Sequence, residues 1–281
     1  MNLNRRTLMG GALIAGGSAT PAFATSQATG GGRGYPQALN ALERYVEQHR
    51  ADWGLPGMTV CVVDRDGYAG FIRSGWANIE KREPIQAEHL FQVGSISKMM
   101  AALAAYAMIQ EGKLSANAKL STLMPELDVR DGADITLQHL LNHTSGLPDD
   151  CPLFPEGGLW SGFTPGSHWS YSNTGYQIVG MIVARYDHRS YQEAVEARVL
   201  RPLGMTSSIG AIRVGNRMRY PQGYEPPYSD RANLHPSPMT HATWVDMEAA
   251  SGCVTSTAAD MAIFLRFLIG LAQGHADRTA I

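Results

Sequence analysis

The chain has 281 residues, 44% hydrophobic and 17% charged, with a formal net charge of −2. That length holds one large domain or two small ones with a buried interior, and the absence of any basic run beyond the N-terminus argues against nucleic acid as a partner. Cys61, Cys151 and Cys253 make an odd number without a C-x-x-C pair, so one disulfide is the most they allow, and the role expected of them is that of small buried hydrophobes.

The first segment reads as a targeting signal. Asn4-Arg5-Arg6-Thr7-Leu8-Met9 puts paired arginines ahead of an apolar stretch, Gly10 to Ala19, which ends in Ala22-Phe23-Ala24. The stretch is too short and too glycine-rich to span a bilayer, and small residues stand where a signal peptidase reads. Residues 1–24 are therefore expected to be a twin-arginine-type signal peptide. A Sec signal with two arginines would change the route and not the destination. The mature chain is then periplasmic or secreted, with no stable membrane span once the signal is removed. Residues 25–35, small, polar and glycine-rich, read as a flexible leader.

From Pro36 onward the pattern is that of a folded domain. Leu39, Leu42 and Val46 repeat at helical spacing until Gly54-Leu55-Pro56-Gly57 breaks the run. Met58 to Val63 and Tyr68 to Trp76, joined by Asp64-Arg65-Asp66-Gly67, predict a β-hairpin. Met99 to Ile109 is apolar on every face and holds five alanines, which predicts a helix buried all round and closed by Gly112. Further helices are predicted at Thr136 to Leu141, Tyr176 to Tyr186, Tyr191 to Leu200 and Thr257 to Ile269, with Pro- and Gly-rich loops at Pro152 to Ser167 and Tyr220 to Pro238. A hairpin followed mostly by helices suggests a mixed α/β domain with a helical insertion.

Two short motifs carry chemistry. Ser95-Ile96-Ser97-Lys98 follows Gly94 where the apolar helix begins. Three residues along a helix return to nearly the same face, so the Ser95 hydroxyl and the Lys98 amine come within reach. The helix start offers backbone N–H groups to a developing oxyanion, and the neighbouring amine takes a proton. A lysine in so apolar a helix has few routes to water, against the alternative of Ser95 as a cap and Lys98 as a solvated side chain. Tyr171-Ser172-Asn173 is the second piece. In an extended segment Tyr171 and Asn173 point the same way, where a phenol moves protons and an amide orients a substrate. The bland alternative is a core tyrosine with a capping asparagine.

Phe91 to Lys98 resembles the nucleophile motif of the class C β-lactamase, D,D-peptidase and serine-esterase family. His143-Thr144-Ser145-Gly146-Leu147-Pro148 resembles that family's characteristic turn, Pro165 to Tyr176 its Y-x-N segment, and Ser251 to Phe264 its small-residue stretch leading into a helix. The resemblance implies an α/β fold of the α+β type, a mainly antiparallel sheet flanked by helices with a helical subdomain and the site in the cleft between. It implies a serine hydrolase that acts through an acyl-enzyme on β-lactam, D-amino-acid peptide or ester substrates. Ser95 is then the nucleophile, Lys98 and Tyr171 share the base role, Asn173 binds substrate, and the Ser95 N–H is half of the oxyanion hole. The expected partner is a small-molecule or peptide substrate; neither a metal nor an organic cofactor is implied, and no feature specifies an oligomer. The rival class is a catalytically inactive relative that binds peptide or cell-wall fragments.

One departure bears on activity. The family's third motif, Lys/His-Thr/Ser-Gly or His-x-Gly, has no match downstream of Tyr171. Residues 36–281 therefore read as a catalytic domain that is C-terminally incomplete and missing C-terminal strands, and loss of one oxyanion donor typically costs on the order of 10²–10³ in turnover. Other features are decoys on this reading. His139 and His143 stand at a metal-capable spacing, but Leu140 follows His139 where a zinc hydrolase needs glutamate, so packing and turn roles are expected. No serine sits in a G-x-S-x-G elbow. Asp149-Asp150 reads as a solvated loop, and Trp160 and Trp169 as candidates for the edge of the pocket.

Overall fold

The computed structural model describes residues 25–29, 35–154, 156–228 and 239–274. The signal peptide expected over 1–24 lies outside the described residues.

The N-terminal half builds a small antiparallel sheet with a helix on it. Strand β1 (Thr25–Thr29), helix α1 (Tyr35–Asp52), strands β2 (Gly57–Val63), β3 (Ala69–Asn78) and β4 (Glu83–Pro84) follow in order, and β3 lies between β1 and β2 and also pairs β4. The hairpin is closed as its turn residues require. Asp64 accepts from the N–H groups of Asp66 and Tyr68 at 2.9 and 2.8 Å, and Gly67 supplies the positive φ of +96°. The expected flexible leader is corrected over 25–29, which pairs in register with β3 from Thr25↔Arg73 to Thr29↔Ala69. An edge strand is specified by the open backbone groups of its neighbour and needs no apolar alternation of its own, so composition alone concealed it.

The rest is mostly helical. Strand β5 (Phe91–Gln92) leads through a 3₁₀ turn (Gly94–Ile96) into α2 (Ser97–Gln110). Then come α3 (Leu120–Leu123), β6 (Val129–Arg130), α4 (Leu137–Leu141), β7 (Leu159–Trp160), α5 (Asn173–Asp187) and α6 (Tyr191–Val195), which runs into a π turn at Glu196–Leu200. After a 3₁₀ turn (Val214–Arg219) follow β8 (Tyr224–Glu225), β9 (Thr240–His241), β10 (Thr255–Ser256) and α7 (Ala258–Ala272). The sheet is sandwiched. Leu39 and Val46 of α1 pack with Ile72 on one face, while α7 packs against β2, with Ala258 and Ala259 near Phe71 and Arg73 of the opposite face.

The larger core surrounds α2. Met100, Ala101, Ala104, Ala105 and Met108 are fully buried against Ile178, Val179 and Ile182 of α5 and Phe264 of α7, and alanines at the contact let helix axes approach closely. The expectation of burial all round is only partly met. Met99 and Tyr106 are 44% and 42% exposed, because one side of α2 faces an open groove and not another helix. An ion network, shielded at Asp187 and open to solvent at Glu111, ties the far ends together: Arg198 reaches Asp187 at 2.5 Å and Glu111 at 2.8 Å. Among the described residues no helix is long and apolar enough to cross a membrane.

Candidate active site

Ser95 stands in the 3₁₀ turn just after Gly94, whose φ of +55° suits glycine. Backbone pairing fixes where this turn sits. β5 pairs β10 through Gln92↔Thr255, the Val93 N–H donates to the Val254 carbonyl at 3.0 Å, and the Val254 N–H donates to Ser97 Oγ at 3.0 Å. Gln92 Nε2 adds a bond of 3.0 Å to the Gly252 carbonyl. The start of α2 is thus stitched to a segment more than 150 residues away, and that segment supplies a carbonyl to the site.

Lys98 has the fullest set of partners. Its side chain is buried, with the residue only 5% exposed, and Nζ meets Ser95 Oγ at 3.1 Å, Asn173 Oδ1 at 2.7 Å and the Ser251 carbonyl at 2.6 Å. An ammonium has three hydrogens and no lone pair; three acceptors match it. The same nitrogen lies 4.8 Å from the centre of the Tyr171 ring, close enough for the ring face to favour a cation. Ser95 itself is exposed, and the Tyr171 hydroxyl meets its Oγ at 2.6 Å.

Tyr171 and Asn173 reach the same place because Ser172 between them is extended, at φ −146° and ψ 112°. Ser172 is also the N-cap of α5: its Oγ accepts from the Gly175 N–H at 2.9 Å and donates to the Pro148 carbonyl at 2.7 Å. The cap is therefore serine, and Asn173, free of that duty, turns its amide to Lys98. Helix α5 begins three residues before the predicted Tyr176 for this reason.

His143, Asp149 and Asp150 are the residues that sequence reasoning missed. His143 adopts φ +61° in the turn before Gly146, and its Nδ1 accepts from the Ser172 N–H at 3.1 Å, which leaves the ring hydrogen on Nε2 in the neutral form. The imidazole stacks on the Tyr171 ring at 4.6 Å between centroids. Burial first, and then the Lys98 charge, push its pKa below the ordinary value, against an opposing pull from Asp149. The expected turn role holds for His143, but the turn serves the site. Beneath it Tyr176 donates to the Leu141 carbonyl at 2.8 Å, and burial raises its phenol pKa to about 12.

The reading of Asp149-Asp150 as a merely solvated loop is corrected. Asp149 Oδ1 accepts from the Asn173 backbone N–H at 3.2 Å and from its Nδ2 at 3.1 Å, and Asp150 Oδ2 accepts from Nδ2 at 3.3 Å. The signal for this was faint, a carboxylate pair one turn from a family motif. His139 is separate: its Nδ1 accepts from the Thr136 N–H at 3.3 Å within the capping box that starts α4. Trp169 is 66% exposed and meets His143 edge-on at 5.9 Å, whereas Trp160 on β7 is not among the groove residues. Cys61, Cys151 and Cys253 are all free thiols.

Beside Ser95 opens a groove of about 440 Å³ whose floor is Met99, Ala102, Leu103, Tyr106 and Leu268, with Lys98, His143, Tyr171 and Tyr176 at its polar end. An exposed hydroxyl sits against a buried amine and a phenol, at the mouth of an apolar slot. That arrangement suits proton transfer from the hydroxyl as it attacks an electrophile.

A sequence model described as Beta-lactamase matches residues 42–280. Penicillin-binding protein 4* of Bacillus subtilis is 29% identical over 167 residues, covering 53% of this chain and 36% of that protein. Esterase EstB of Burkholderia gladioli is 29% identical over 195 residues, covering 58% of this chain and 49% of that protein. The solved structure of a class C β-lactamase superposes with a TM-score of 0.71 at 23% identity, over 86% of this chain and 66% of that one, which shows the mixed helix-and-sheet fold. The chain spans about half or less of the length of these two relatives. With a family match over most of its length and the same fold, this chain belongs to the β-lactamase family.

Proposed function

We propose that the protein is a serine hydrolase that works through an acyl-enzyme, with Ser95 as nucleophile, Lys98 and Tyr171 sharing its proton, and Asn173 holding the amine in place. One observation carries the reading: an exposed Ser95 Oγ lies 2.6 Å from the Tyr171 oxygen and 3.1 Å from the Lys98 nitrogen, within the reach that proton transfer needs.

In the reacting form the phenol–amine pair carries one proton fewer; Ser95 Oγ attacks the substrate carbonyl carbon, and its proton fills that place on the pair as the carbonyl electrons move onto oxygen. The Ser95 N–H at the start of the helix is one donor to that oxyanion. Collapse expels the leaving group, which takes the proton back, and water repeats the sequence on the acyl-enzyme. Lys98 is suited to this by its surroundings: an uncharged acceptor set and an aromatic face hold the cation without pairing it to a carboxylate. Substrates are β-lactams, D-amino-acid peptides or esters, and a periplasmic or secreted location follows from the export signal expected over 1–24. A binding protein without turnover is the weaker alternative, since Ser95, Lys98 and Tyr171 are in mutual contact.

Labelling with a fluorescent penicillin and with a fluorophosphonate tests the proposal. Label on the wild type and none on Ser95→Ala supports it; equal label on both removes Ser95 from the mechanism. Turnover of nitrocefin against p-nitrophenyl butyrate divides lactamase from esterase.

A further inference from the structure

Both hydrogens of the Asn173 amide are committed. Its orientation is set from both sides: the Lys98 ammonium only donates, so it requires Oδ1 at 2.7 Å, while the Asp149 and Asp150 carboxylates only accept, so they require Nδ2 at 3.1 and 3.3 Å. An amide nitrogen carries two hydrogens, and both face a carboxylate. Asp149 is anchored as well, because the same oxygen accepts the Asn173 backbone N–H at 3.2 Å, so it cannot leave without uncovering the first turn of α5. A substrate carbonyl that sought a hydrogen bond from this amide would have to displace a charged acceptor, and charged acceptors hold such bonds about twice as strongly as neutral ones.

We infer that Asp149 and Asp150 are specificity-determining residues that close the Asn173 donor and bias the site against substrates carrying an acylamino group beside the scissile carbonyl. This rests on the hydrolase reading and narrows it: of β-lactams, D-peptides and esters, the amide-free ester is the class that loses nothing. The groove agrees. Met99, Ala102, Leu103, Tyr106 and Leu268 offer a substrate acyl chain apolar contact and no amide partner.

The experiment compares two p-nitrophenyl esters of matched chain length, 5-phenylpentanoate and N-phenylacetylglycinate, so that the leaving group is constant and one amide differs. Their kcat/KM ratio, corrected for spontaneous hydrolysis, is read in the wild type, in Asp150→Ala and in the double variant Asp149→Ala/Asp150→Ala. Freeing the amide is expected to shift the ratio toward the acylamino ester on the order of tenfold in the double variant, mainly through KM, and by a smaller factor in the same direction in Asp150→Ala, which touches only Nδ2. Should the double variant fold poorly, the single variant decides. A ratio unchanged in the variants, or a wild type that already prefers the acylamino ester, overturns the inference. Fluorophosphonate labelling of each protein keeps the two proposals apart: an unlabelled wild type sinks the hydrolase reading, whereas full labelling with an unmoved ratio sinks only this one.

Discussion

The carbonyl oxygen of Ser251 lies 2.6 Å from the nitrogen of Lys98, though 153 residues separate them. A lysine in an apolar helix needs acceptors for all its hydrogens, and its own helix supplies only Ser95 Oγ. The other two come from the turn before β10 and from the first residue of α5. The site therefore exists only where three distant pieces of chain meet, and its chemistry and its folding are coupled at this amine.

Removing the nucleophile and removing the amine are expected to differ in stability though both abolish turnover. Ser95→Ala takes away an exposed hydroxyl and should cut turnover at least about a thousandfold with little change in melting temperature. Lys98→Met keeps the volume but leaves Asn173 Oδ1 and the Ser251 carbonyl without their donor, at about 1–3 kcal/mol. Steady-state kinetics and urea titration check the pair; a Lys98→Met protein as stable as the wild type would remove the structural half of the role.

His143 should make stability fall in mild acid. Its native pKa is depressed by burial and by Lys98, so the unfolded chain binds protons more readily than the native imidazole. Stability is thus unaffected above the ordinary value of 6.5, declines as pH drops below it, and levels off under the depressed native value. Lys98 and Asp149 are the charged groups that act on the ring. Urea midpoints at neutral and mildly acidic pH should lie closer together for His143→Gln than for the wild type; an equal separation in both would mean that the imidazole titrates freely.

The Arg198 network should dominate acid and mutational sensitivity of the helical core. Arg198 and Asp187 have side chains 10% and 4% exposed, and truncation to Arg198→Ala leaves a buried carboxylate with only Arg189 at 3.6 Å. A loss of about 3–5 kcal/mol is expected in urea unfolding. Arg198 first, and Lys113 next, lower the Glu111 pKa from 4.5 to about 2, so this contribution is present above 4.5 and is lost as pH falls toward 2. The variant should show a shallower acid limb.

Gly146→Ala probes the turn that carries His143. A Cβ there would come 2.2 Å from Ser161 Oγ and 2.9 Å from the Phe163 carbonyl, at φ +79°. The change should cost about 1–3 kcal/mol and lower turnover more than it lowers fluorophosphonate labelling of surviving protein, because the imidazole under Tyr171 shifts. Wild-type thermal stability in this variant would contradict the packing described for the turn.

Much was legible from local spacing. The hairpin, α1, α2 and the starts of α4 and α7 follow from periodicity and turn or cap residues such as Asp64, Thr136 and Thr257. Strand β1 was not, since an edge strand borrows its register from β3. Nor was the exposed side of α2, because an all-apolar helix looks the same whether a partner or a groove faces Met99 and Tyr106.

What the sequence settled by itself is whatever a helical turn or an extended triplet decides: that Ser95 and Lys98 share one helix face, and that Tyr171 and Asn173 point the same way past Ser172. The tertiary structure alone decided that these two pairs meet, that Ser251 completes the amine, and that Asp149 and Asp150 claim the asparagine. Spacing along a chain fixes neighbours within a few residues, whereas hydrogen-bond partners 20 to 150 residues apart are set by the packing of whole elements, and no local pattern records them.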